Sequence, residues 1–216
     1  MHRILLLFSL LTLLAAVAFR KLNGDRVLHG LKDIRLSLTA GDMARKMLDS
    51  VGQEKVEIRT PARRWAAAAD LGGKWLSVPR GAASGASASS HGQAALQVGL
   101  YMLSVRDPKA LARRRWAIRF GHVFPIFTTV VVIFALIVAR LHGLWGFAII
   151  LASCGCAACA QLLALSAERR ASALATVILE KKRIFPRLSD EEVVVAAARA
   201  HAWRSILPGI LSRFVP

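Results

Sequence analysis

The side chains best suited to chemistry lie far apart in the sequence. His91 is set in an Ala-rich stretch of helical character, with Gln93 and Gln97 close behind it. Glu168 follows a long apolar run, and Cys154, Cys156 and Cys159 fall inside that run. A helix that carries a catalytic zinc presents two imidazoles four residues apart on one face, with a carboxylate beside the first to act as general base on the metal-bound water. Here His91 is followed by Gly92, and Ala95 stands four residues on, so the stretch offers one imidazole and no acid. The cysteines do not replace them. On a helix turning about 100° per residue, Cys156 lies about 200° and Cys159 about 140° from Cys154, so the thiols diverge. No Gly-x-Ser-x-Gly elbow, phosphate-binding loop or dinucleotide glycine fingerprint is present.

Whatever these groups do, membrane elements must position them. With 55% hydrophobic residues in 216 and a mean hydropathy of +0.47, the chain is too apolar for an ordinary soluble domain. The excess sits in residues 4–19, 122–139 and 144–166, runs long enough or nearly so to cross a hydrocarbon core of about 30 Å. The first spans about 24 Å as a helix and needs Arg3, Arg20 and Lys21 to snorkel; its pattern, ending in Ala16-Val17-Ala18, also fits a secretory signal peptide. The formal charge is +17 and is unevenly spread. Arg20 and Lys21 follow the first run, Arg113, Arg114, Arg115 and Arg119 precede the second, and Arg169 and Arg170 follow the third. All therefore share one side, which the positive-inside rule makes the cytoplasm or matrix. These eight side chains are the expected contacts to anionic lipid headgroups, cardiolipin among the candidate ligands, at about 1 kcal/mol per well-placed cation. Nucleic acid is not an expected partner, because the single tyrosine, Tyr101, and scattered tryptophans make no stacking platform.

Between the runs the pattern is that of a small mixed domain. Thr39 is an N-cap with Asp42 at the capping-box position, Met43, Met47 and Leu48 share a helix face, and Gly52 ends that helix. Residues 55–59 alternate as a half-buried strand does, with 74–78 as the partner. Residues 80–90 are either a flexible loop or the start of a small-residue helix. A helix over 93–105 stops at Asp107-Pro108, and a basic helix over 109–120 feeds directly into the second membrane run, with Pro125 near its start. Ser189 caps a helix running to Trp203, Pro208 interrupts the chain beyond it, and residues 203–216 read as an interfacial or partner-bound segment. The fold class is thus a mostly α membrane protein with a small α+β basic domain. Its division is an N-terminal membrane helix (1–22), the basic domain (23–120), a membrane hairpin (121–167) and a helical C-terminal region (168–216). In the hairpin, Ser153, Gly155, Ala157 and Cys159 are small enough to admit a neighbouring helix closely, which suggests partner subunits.

Taken in order, these segments resemble the membrane-bound neutral zinc metallopeptidases. Residues 39–49, Thr-Ala-Gly-Asp-Met-Ala-Arg-Lys-Met-Leu-Asp, are similar to that family's Thr-Gly-x-Glu-x-Ala-Arg-Arg-x-Leu-Asp helix. Asp70, Lys74 and Leu76-Ser77 resemble its Asp-Pro-x-x-Lys-x-x-x-Leu-Ser, with tighter spacing, and residues 161–172 look like its post-hairpin stretch. The resemblance implies a zincin-like domain and a His-Glu-x-x-His helix that this chain does not reproduce. With Gln97 aligned to the family's glutamine, the signature falls on Ser90, His91, Gly92, Gln93 and Ala94; with His91 as first ligand, Gly92 and Ala95 occupy the acid and second-ligand positions. Glu168 resembles the third ligand.

The resulting expectation is a catalytically inactive relative of a peptidase, with no catalytic residues, no metal and no cofactor. Ser90, His91, Ala94 and Glu168 are remnants: His91 at the surface or at a helix start, the glutamines between packed helices, and Glu168 neutralising an arginine at the membrane boundary. Such a chain would be an accessory subunit of a larger membrane assembly. Its Ala- and Arg-rich basic character fits the mitochondrial inner membrane, with 20–120 and the C-terminus in the matrix, and a respiratory or ATP synthase complex. The competing expectation is an active zinc endopeptidase with unusual ligands, such as His91, Glu168 and His122.

Overall fold

The computed structural model describes residues 2–60, 75–140, 142–204 and 206. Helix α1 (His2–Arg20) runs through a π-helical turn at Lys21–Asp25 into α2 (Arg26–Gly30). Its apolar span, Leu6–Gly30, is therefore longer than residues 4–19 alone. Helix α3 (Ala40–Ser50) follows, and then the strands β1 (Glu57–Arg59) and β2 (Trp75–Ser77), which pair in parallel with Ile58 opposite Leu76. After the short α4 (Arg80–Ala83) come α5 (Ala88–Arg106), α6 (Pro108–Val138), α7 (Gly143–Lys182) and α8 (Leu188–Arg204). The chain is mostly α, with a small α+β part.

The local rules explain most boundaries. Thr39 Oγ1 accepts from the Asp42 amide at 3.2 Å and donates to its carboxylate at 2.7 Å, so the cap of α3 forms as its sequence implies. At the other end Gly52 takes φ +74°, and the Gln53 and Gly52 amides return to the Leu48 and Asp49 carbonyls at 2.9 and 3.0 Å, a Schellman closure. Arg45, paired with Asp49 one turn along the same helix at 2.6 Å, then ties α3 to the chain entering β1 through the carbonyls of Gln53 and Val56. Asp107 caps α6 by accepting from the Ala110 amide at 3.0 Å, with Pro108 at the first helical position.

Some boundaries differ from the expectation. Because the basic helix and the membrane run are one element, Pro125 lies deep inside α6, where it is buried and the Thr129 hydroxyl bonds its carbonyl at 2.8 Å. Residues 80–90 form α4, a turn and the first turn of α5. Helix α8 starts at Leu188, placing Ser189 inside its first turn. Asp70, Lys74 and the tail beyond Ile206 lie outside the described residues.

Three helices are long and apolar enough to cross a membrane: Leu6–Gly30, Pro108–Val138 and Gly143–Lys182. This is an integral membrane protein. At 1.5 Å per residue α6 and α7 are about 46 and 60 Å long, well beyond a hydrocarbon core of about 30 Å, so the same two helices that span the bilayer enter the folded core beside it. Outward-facing Ile126, Phe127, Val130, Phe134, Leu144 and Phe147 give them the surface that lipid requires. One hydrophobic core draws on residues from Leu36 to Ala202, joining α3, β2, α5, the last turns of α7 and α8, so 168–204 share a core with the basic region.

The small-residue face of α7 is occupied by the chain itself. A Cβ at Gly155 would meet the Ser9 Cα at 3.2 Å and Thr12 Oγ1 at 3.1 Å, and Ala158 packs with Ala16. Ser153 and Ala157 are buried and Cys159 half-buried. At Gly155 and Ala158 the close approach that the residue sizes foretell is made by α1.

Candidate functional site

Helix α5, which carries His91, lies at the centre of the core. Ser87 caps it, its Oγ accepting from the Ser90 amide at 3.2 Å, and from His91 to Tyr101 every residue except Gln93 is buried. Two glycines let neighbouring helices approach to backbone distance. A Cβ at Gly92 would overlap Ala197 of α8, and a Cβ at Gly99 would overlap the Ala171 carbonyl of α7. A catalytic helix needs one face open to a cleft; here α8 closes the face at Gly92 and α7 the face at Gly99.

His91 begins this helix but is wholly buried, so its placement at the surface is corrected: Phe185, at a ring-centroid distance of 6.0 Å, and α8 cover it. Its Nδ1 lies 2.9 Å from the Ser87 carbonyl, and the Leu38 backbone also faces the ring. Burial pushes its pKa below the ordinary value, against the pull of the Ser87 and Leu38 backbone, which holds the ring neutral. Ser90 is half-buried; Ala94 and Ala95 are fully buried and carry no donor. Gln97 is buried with its Oε1 unpartnered, and Gln93 is half-buried.

A second imidazole approaches the same helix start from α8. His201 Nε2 lies 2.9 Å from the Ser89 carbonyl, and its pKa is lowered to about 4 by burial first and by Arg204 second, with Ser89 and Asp25 opposing. Both histidines are thus neutral packing groups that donate to carbonyls of the first turn. No local signal marks His201 in the sequence, since the contact joins residues 112 positions apart.

Glu168 lies on α7 and points inward, where Arg114 of α6 donates Nε–H to its Oε1 at 2.7 Å; both side chains are under 5% exposed. The arginine that Glu168 neutralises is Arg114. Further along the same interface, Gly121 of α6 faces Gln161 of α7. His122 therefore sits about 12 Å along the helix axes from the Arg114–Glu168 level, eight residues away at 1.5 Å each.

A family model described as "Putative neutral zinc metallopeptidase" matches residues 4–203. The chain belongs to this family. No curated protein and no solved structure matches it. In a neutral zinc metallopeptidase the implied metal needs three protein ligands. Two candidate ligand atoms are buried without a hydrogen-bond partner among the described residues, Nε2 of His91, whose other ring nitrogen is fixed by a carbonyl, and Oε2 of Glu168. The helical neighbours of His91 contribute nothing, Glu168 is held by Arg114 through Oε1, and His122 is displaced from that level. Among the described residues no three of His, Cys, Asp and Glu form a group able to hold a metal ion. The donors among the described residues do not fit zinc.

The basic clusters are divided by the fold. Lys21, Arg113, Arg119, Arg169 and Arg170 are exposed and Arg115 is half-buried. Arg20 and Arg114 are corrected as headgroup contacts, being turned inward: Arg20 pairs with Asp25 at 3.0 Å, which also receives Arg204 at 3.2 Å and so fastens the π turn to α8.

Proposed function

We propose that this family member is a catalytically inactive, peptidase-like membrane protein that serves as a structural accessory subunit of a multi-subunit membrane complex. The observation that carries the reading is the closure of α5: the backbone of α8 rests on Gly92, the position that would bear the general-base glutamate when His91 is taken as first ligand. A side chain there would have to displace α8, and with it the packing of Val194, Val195 and Ala198 in the core. Glu168, free in a metal site, here balances Arg114, so its charge is committed to holding α6 on α7.

A scaffold whose α5 is covered on both faces acts through its surfaces. Those on offer are an apolar belt on α1, α6 and α7 and a basic face beside it, which support an assembly role in a bilayer rich in anionic lipid. The mitochondrial inner membrane, with the basic face toward the matrix, and a respiratory or ATP synthase complex are the setting this proposal favours. The test is the full chain taken from its native membrane in mild detergent. Co-migration with a fixed set of membrane subunits, and no peptide hydrolysis in the presence of zinc, is the expected result. A solitary chain, or hydrolysis that disappears in Glu168→Ala, overturns the proposal.

A further inference from the structure

At the level where α6 and α7 leave the core, a cavity of about 290 Å³ opens between them. Its floor is made of Ala110, Ala117, Ala164 and Ala167, and its walls carry Arg113, Arg114, Trp116, Leu163 and Arg170. The charges are unbalanced. Arg114 is matched by Glu168 at 2.7 Å and Arg170 touches Asp107 at 3.7 Å, while Arg113 has no ion-pair partner among the described residues. Among the described residues, three guanidiniums against two carboxylates leave one positive charge, that of Arg113, in a recess floored by methyl groups, the complement of a single phosphodiester monoanion.

The apolar side of the cavity shows what that anion is attached to. Trp116 and Leu163, at its mouth, are 59% and 77% exposed. From Trp116 an aromatic ladder descends along α6 into the membrane run, Trp116 stacking on Phe120 at 5.0 Å and Phe120 on Phe124 at 4.6 Å. Tryptophan at the head of such a ladder marks the headgroup level, with the apolar rings below it at the depth of acyl chains. A free phosphate would use the cations and leave the ladder bare.

We propose that this cavity is a binding site for one anionic phospholipid, its phosphate between Arg113 and Arg170 and an acyl chain along Trp116, Phe120 and Phe124. The inference rests on the membrane placement of α6 and α7 and is independent of the loss of catalysis, so a zinc-active protein would leave it intact. Both arginines are exposed and outside the buried ion pair, so replacing them leaves the core unaltered.

The test uses the full chain in nanodiscs of phosphatidylcholine doped with phosphatidylglycerol, with native mass spectrometry of the retained lipid. Arg113→Gln/Arg170→Gln is expected to lower phosphatidylglycerol retention about thirty-fold, the effect of two basic contacts, whereas Lys46→Gln/Lys55→Gln, of equal charge change at exposed positions away from α6 and α7, retains it. Phosphatidylglycerol with brominated acyl chains is expected to quench a fluorescence component that Trp116→Phe abolishes. Equal losses in the two double variants, displacement of the lipid by millimolar inorganic phosphate, or a quenched signal of the same size in Trp116→Phe as in the parent would each overturn the proposal.

Discussion

Removing Glu168 should cost the fold far more than an ordinary surface charge would. Its Oε1 accepts from Arg114 Nε at 2.7 Å, with both side chains under 5% exposed, so Glu168→Leu takes the carboxylate away from a buried guanidinium. Breaking a buried pair from one side typically costs about 3–5 kcal/mol, whereas replacing both partners with apolar groups of similar volume is often neutral or stabilising. For a chain of this size each kcal/mol moves the unfolding midpoint by about 2–4 °C, so the single variant should melt on the order of 10 °C lower. Arg114→Met/Glu168→Leu should recover most of that loss, which separates a structural pair from two independent defects. Differential scanning fluorimetry in a neutral detergent, on the parent chain, both single variants and the double, completes the cycle. A midpoint for Glu168→Leu within about 2 °C of the parent, under 1 kcal/mol on the same scale, would refute the reasoning, as would a double variant no better than the singles.

Rewriting the helix as His-Glu-x-x-His by Gly92→Glu/Ala95→His should destabilise the protein by more than the roughly 1–3 kcal/mol usual for overpacking, because a Cβ at residue 92 overlaps Ala197; a lower melting midpoint and no gain of peptide hydrolysis check it. Gly155→Leu should push α1 away from Ser9 and Thr12 and speed amide hydrogen exchange over residues 6–20, leaving α5 protected. Acid should weaken the fold through His201. Its folded pKa, about 4, lies below the unfolded value near 6.5, so the unfolded state binds the proton first and stability falls as pH drops through that window. His91 shifts in the same direction, so midpoints measured from about pH 7 to 4.5 should decline less steeply in His201→Asn, and less still when His91→Asn is added.

Features set by near neighbours along the chain are legible in the sequence alone. The cap of α3 needs Thr39 and Asp42, its end needs Gly52, and the break between α5 and α6 needs Asp107-Pro108. The membrane runs are equally plain, since they depend on composition over a length the bilayer fixes. The features that are not legible depend on which surfaces meet. Gly92 and Gly99 read as gaps in a helix until Ala197 and Ala171 are found against them; glycines seven apart on one helix, with alanine-rich helices elsewhere, are the available signal. Arg20 and Arg114 look no different in sequence from Lys21 and Arg113, but Asp25 and Glu168 turn the first two inward. The stripe around Gly155 foretells a close helix, and nothing in its own residues says that α1 fills it. His91 has no sequence neighbour that could bury it, because Phe185 and α8 arrive from far along the chain to cover it.

The proposed loss of the metal site is tested most directly by the zinc content of the purified, folded chain after equilibration with zinc and removal of the excess. Zinc at no more than background level, unchanged between the parent and His91→Ala, is the predicted result. One tightly held zinc per chain that leaves on His91→Ala or Glu168→Ala would contradict it.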